Sequence, residues 1–241
     1  MKTAENKCFR MKKKTLAWGM ALALPALASF GRPVFSQTDG LDQSKEELKI
    51  QLPKPMFVGT PRNIKTSNLE NVTGKPRGPF FVPRGTRLLS LKKPVTSSDA
   101  QPVIGELSFV TDGEKSGEEG YFVELGPGRQ WVEIDLHNES ALAAIVVWHN
   151  HSQARVYRDV VVQVSNDKDF GSGVTTVFNN DHDNSSGLGI GKDKEYIETN
   201  EGRLVDARGA RARYVRLYSS GNTSNDMNHY VEVEVYGTPV K

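Results

Sequence analysis

Val231, Glu232, Val233, Glu234, Val235 and Tyr236 run in succession near the end of the chain, and their alternation decides the fold class. A period of two is the period at which a β-strand sends successive side chains to opposite faces, so the valines are expected on a core and the glutamates in solvent. Outward from this stretch the pattern repeats. Residues 212–218, 160–164, 144–148, 131–136 and 121–125 are runs of strand length, rich in β-branched and aromatic residues and separated by Gly, Asn and Asp. No long stripe of helical period and no internal repeat interrupts them. Residues 88–237 are therefore expected to form one all-β domain, an antiparallel jelly-roll sandwich, with a tail at 238–241. Residues 166–209 fit less well, because NNDHDNSSGLGIGKDKEY at 179–196 is dense in turn formers. A loop of that length in a compact domain is usually functional or disordered.

Upstream the composition changes. Pro53, Pro55, Pro61, Pro76, Pro79 and Pro83 each fix φ and remove a backbone donor, which argues for a proline-rich extended arm over residues 50–87. Phe57, Phe80, Phe81 and Val82 give the arm apolar points, and a free arm exposing two adjacent phenylalanines would be sticky, so docking on the domain is expected. Residues 29–49 read as a flexible linker. At the start, Lys2, Lys7, Arg10, Lys12, Lys13 and Lys14 precede an uncharged run, residues 16–28, ending in Ala26, Leu27 and Ala28. That is the pattern of a secretory signal peptide at 1–28, cleaved near Ala28, with Met11 as an alternative start. The apolar run has 13 residues, and a bilayer takes roughly 17–25, so no transmembrane segment is expected.

Several classes are excluded by composition. The 22 glycines have no three-residue period, and the lone cysteine, Cys8, lies in the leader and forms no internal bridge. The net charge of +2 becomes −3 once the leader's six cations and one anion are removed. A nucleic-acid footprint leaves with them, and the product is expected to be secreted or periplasmic.

Leu91 to Ser98 (LKKPVTSS), Val110-Thr111-Asp112-Gly113, Gln130 to Leu136 (QWVEIDL), Ala212 to Leu217 (ARYVRL) and Glu232 to Gly237 (EVEVYG) occur in a familiar order. Over residues 88–237 the chain resembles the discoidin, or coagulation factor five/eight type C, domain of the galactose-binding-like fold, the group that includes family 32 carbohydrate-binding modules. The resemblance implies an eight-stranded jelly roll whose loops at one end bind ligands. It also implies a structural Ca²⁺ held by Asp112 and Glu232, with oxygens around Lys115 helping, a hard cation on oxygen donors. Read without it, Asp112-Gly113 is a turn and Glu232 a solvated strand residue. The chain departs from the pattern in the insert at 179–209 and in lacking the bridge that ties the ends of many animal members.

Two loops carry the candidate ligand residues. Trp148, His149, His151 and Arg155 follow a strand, and an indole face with imidazole and guanidinium donors suits a sugar ring and its hydroxyls. Asn180, Asp181, His182 and Asp183 form the second loop. The EF-hand spacing fails there, since Ser186 stands where Gly is needed and Lys192 where Glu is needed. A different calcium loop, a sugar-binding loop and a surface turn all remain open, because Asp and Asn are favoured in turns for backbone reasons alone. The function expected is a non-catalytic module binding a glycan or glycoconjugate, with Arg155 and Asp181 lining one shared pocket. Two rivals stand beside it: a metal-dependent hydrolase using His149, His151 and His182, and a protein-protein adhesion module. Gln153 and Ala154 occupy the places where the H-x-H-x-D-H metallo-hydrolase pattern requires Asp and His, and no G-x-S-x-G elbow is present.

Overall fold

In a computed structural model, alternating sequence becomes ten strands among the described residues, 44–57 and 63–240. They are β1 (Lys45–Glu47), β2 (Phe81–Pro83), β3 (Arg87–Leu88), β4 (Val95–Ser97), β5 (Val123–Leu125), β6 (Gln130–His149), β7 (Val161–Ser165), β8 (Thr175–Asn179), β9 (Arg203–Ser219) and β10 (Asn228–Pro239). The only helix among the described residues is a 3₁₀ turn at Leu107–Thr111. The signal peptide, the Met11 start and linker residues 29–43 lie outside the described residues. β1 and β2 form a small ribbon, and the other strands form a sheet in the order β3-β10-β6-β9-β7-β8, with β4 beside β6 and β5 beside β10. Every pairing between these strands is antiparallel, as the sequence pattern predicts.

The two expected strands at 131–136 and 144–148 are one element, β6, whose ladder to β9 is interrupted between Asp135 and Ser140. His137 takes φ 71° there, and its N–H donates to Asp135 Oδ1 at 2.7 Å. The first half of β6 pairs with β4 and β9, the second with β10 and β9. One core runs through both halves, with Val132, Ile134, Ile145 and Val147 of β6 packed among Val162, Val215, Leu217, Val233 and Val235.

The opposite face of the second half is buried too. Ala144, Val146 and Trp148 of β6 and Val231 and Tyr236 of β10 pack with Phe122, and Leu48 of the linker with Ile50 and Phe80 of the arm cover them. Hence the expectation of solvated glutamates is corrected: Glu232 is fully buried and Glu234 is 3% exposed. Alternation reports the two faces of a strand, but not whether a distant segment covers the second face. Three boundaries also move. Linker residues 45–47 are strand β1, the tail's first two residues belong to β10, and the expected loop at 166–209 contains β8 and the start of β9.

Candidate functional site

The segment leaving β6 turns inward. Trp148 is fully buried, its Nε1–H donates to the Asn200 carbonyl at 2.9 Å, and the Lys115 ammonium lies 5.4 Å from the ring centroid. Gly202, at φ +62°, closes over the indole, where a Cβ would come within 2.7 Å. Trp148 is therefore a core residue with no face left for a sugar, which corrects its expected role. His149 is equally enclosed; its Nδ1–H donates to Glu198 Oε1 at 2.6 Å and its ring stacks 4.3 Å from that of Tyr157. His151 is also fully buried, and its Nε2–H donates to the Lys115 carbonyl at 3.0 Å. Both histidines hold loops together rather than meet a ligand.

Arg155 has a different setting. It is 6% exposed, its Nε has no partner, and its charge acts on Tyr157, Glu124 and His229. The register of β5 and β10 sets Glu124 opposite His229. Burial, with help from Arg155 and His149, pushes the His229 imidazole down to about 4. A neutral ring has one donor and one acceptor, so Nε2–H donates to Glu124 Oε2 at 2.8 Å while Nδ1 accepts from the Tyr157 hydroxyl at 2.8 Å. That hydroxyl keeps its proton because burial raises it well above the usual phenol range. Burial also raises Glu124, against the pull of Arg155. Phe122 meets His229 edge to face at 5.3 Å, and its neighbour Tyr121 is exposed. A guanidinium and a carboxylate reachable by solvent thus come together around a buried imidazole. Glu124, Tyr157 and His229 are not marked by the sequence, because the pairing that gathers them joins residues 105 apart.

The second loop is built on its own carboxylates. Asn180 donates its N–H to the Val160 carbonyl at 3.1 Å and accepts the Val160 N–H on Oδ1 at 2.7 Å. Asp181, fully buried, accepts the N–H groups of Ser185 at 3.1 Å and Ser186 at 2.9 Å. These two residues shape the loop and are buried, so neither presents a side chain to a sugar. His182 and Asp183 are exposed; His182 Nε2 lies 3.3 Å from Ser67 Oγ, and Asp183 accepts the Ser185 N–H at 3.0 Å. The pocket expected between Arg155 and Asp181 resolves into two groups, Arg155 with Glu124 and His229, and Asp181 with Asp159 and Asp183. The histidine metal centre is not assembled either, since His149, His151 and His182 have separate partners.

At the start of β10's buried face, Glu232 Oε2 accepts the Gly113 N–H at 3.1 Å, and Oε1 is buried without a partner. Burial, reinforced by Glu234 and Asp112, pushes its carboxyl up to about 9. An oxygen with no donor, beside a second carboxylate at Asp112, suits a hard cation. The Lys115 carbonyl accepts from His151, and its ammonium donates to Glu234 Oε1 at 2.6 Å, with Glu234 also accepting the Tyr236 hydroxyl at 2.6 Å.

A cavity of about 520 Å³ lies between the arm and residues 196–204, lined in part by Met56, Phe57, Arg77, Tyr196 and Arg203. Both of its guanidiniums are engaged, Arg77 with the Gly202 carbonyl at 3.0 Å and Arg203 with Glu70 at 2.8 Å.

No family model and no curated protein matches the chain. Among solved structures it is similar to a family 89 glycoside hydrolase from Clostridium perfringens in complex with 2-acetamido-1,2-dideoxynojirmycin, at TM-score 0.47 and 18% identity, over 64% of this chain and 15% of that one. It is similar to the CBM32 of AlyQ in complex with 4,5-unsaturated mannuronic acid, at TM-score 0.45 and 18% identity, over 62% and 97%. A third is a fucose binding module of Streptococcus pneumoniae, SpX-3, at TM-score 0.44 and 16% identity, over 62% and 97%. The chain thus spans about 15% of the length of the glycoside hydrolase it matches.

Proposed function

We propose that the chain is an exported, non-catalytic glycan-binding module whose ligand meets Arg155 and Glu124. The observation that supports this reading is the Arg155, Glu124 and His229 group, with the exposed Tyr121 three residues before Glu124 in sequence. A guanidinium offers a planar fork of donors and a carboxylate offers acceptors, so adjacent sugar hydroxyls are matched in pairs, while an aromatic face takes the C–H side of the ring. Because water satisfies the same groups in the free protein, each site binds weakly. A glycan array followed by isothermal titration tests this. Arg155→Gln and Glu124→Gln are expected to weaken the best array ligand at least tenfold with far-UV circular dichroism unchanged. Silence across the array, or unchanged affinity in both variants, counts against it.

A structural Ca²⁺ on Glu232 and Asp112 belongs to the same reading and is supported by the unpartnered Glu232 oxygen. Calcium is expected to raise the melting temperature of chelator-stripped protein. The same rise in Glu232→Gln, or none in the parent, argues against the site.

A further inference from the structure

One oxygen from each of Asp159, Asp181 and Asp183 lies within 4.8 Å of one from each of the others. Oxygens that share a calcium ion at about 2.3–2.6 Å are separated by at most roughly twice that distance, and these three satisfy that condition. The residues come from two separate segments. Asp159 ends the 150–160 turn, while Asp181 and Asp183 open the loop after β8, and hydrogen bonds between Val160 and Asn180 fix one segment against the other.

An acidic cluster alone is common on protein surfaces, but here a fourth carboxylate points to a ligand. Glu195 is 7% exposed, and its Oε2 is buried with no hydrogen-bond partner. Its backbone pairs with Asn68 and Glu70 of the arm. The charges acting most strongly on Asp159 are Asp181, Asp183 and Glu195, all negative, and with burial they raise its carboxyl above the usual range. Buried anions are retained when a cation or a set of donors compensates them. Ser185 and Ser186 supply donors to Asp181, and none reaches Glu195 Oε2.

We infer that Asp159, Asp181 and Asp183, with the charge of Glu195 acting on Asp159, form a binding site for a divalent cation of calcium type, distinct from the Glu232 corner. Calcium fits better than magnesium, because three side chains from two separate segments with solvent at Asp183 suit irregular oxygen coordination, whereas magnesium demands a near-ideal octahedron. The ion would clamp the loop after β8 onto the 150–160 turn.

The test uses the full chain, stripped with EDTA and titrated calorimetrically with CaCl₂. Glu232→Gln removes the other candidate site and is expected to retain one binding event. Adding Asp159→Asn and Asp183→Asn is expected to weaken that event at least tenfold, and Glu195→Gln to weaken it less. Asp181 is left intact because the loop is built on it. Hydrogen exchange is read in parallel on Glu232→Gln, where calcium is expected to slow exchange over residues 181–191. No binding by Glu232→Gln, an unchanged Kd in the combined variant, or exchange over 181–191 indifferent to calcium overturns the site.

Discussion

Glu232 holds its proton in the folded chain far above the pH at which it would lose it in the unfolded chain. The folded value is about 9 and the ordinary one 4.5, so over that window the folded state binds more protons, and stability falls as pH rises. Each pH unit removes up to about 1.4 kcal/mol, an upper limit set by the linkage relation. Thermal unfolding of chelator-treated protein from pH 5 to pH 9 is expected to show a falling melting temperature, and Glu232→Gln should flatten that slope. Gly202 gives a second expectation. Alanine there combines a positive φ with a Cβ 2.7 Å from the Trp148 ring, so Gly202→Ala should destabilise by roughly 1–3 kcal/mol and change tryptophan fluorescence in the folded state. Neither residue carries a local signal of these roles. Glutamate in a VEVEVY strand and glycine after Asn200-Glu201 both read as surface features, and only the covering segments make them otherwise.

Among elements, the strands were legible and their surroundings were not. β10, β7 and the two halves of β6 follow from alternation and β-branching, because those are properties of neighbours in sequence. β8 was hidden because its five residues follow a turn-rich stretch and precede a longer one. What the arm does was only half legible. Its apolar points implied docking somewhere, but the face it covers depends on pairings across the whole chain. Leu48, Ile50 and Phe80 close the second face of β6 and β10. Phe80→Ala is expected to cost about 1–2 kcal/mol in denaturant unfolding, less than the 3–5 of a fully enclosed phenylalanine, because Phe80 is only partly buried. The candidate site follows the same division. Arg155 was visible as a loop cation after a strand, whereas Glu124 and His229 required the β5 and β10 register. Trp148 and His149 misled because strand-end aromatic residues look alike whether they point in or out.

Across the whole molecule, segments far apart in sequence complete one another. β3 pairs with β10, joining Leu88 to Tyr236, and the carboxylates of the inferred cation site come from 159, 181 and 183. Chains whose native pairings are this remote must close large loops before contacts compensate for the lost entropy. Refolding by rapid dilution is therefore expected on the scale of milliseconds to seconds instead of microseconds, by stopped-flow tryptophan fluorescence. Before the arm settles, the strip bearing Val146, Trp148 and Val231 has no cover. During that interval two immature copies offer each other the same greasy ribbon, so refolding yield should drop steeply as protein concentration rises, and the hazard should vanish once the last segment has folded over.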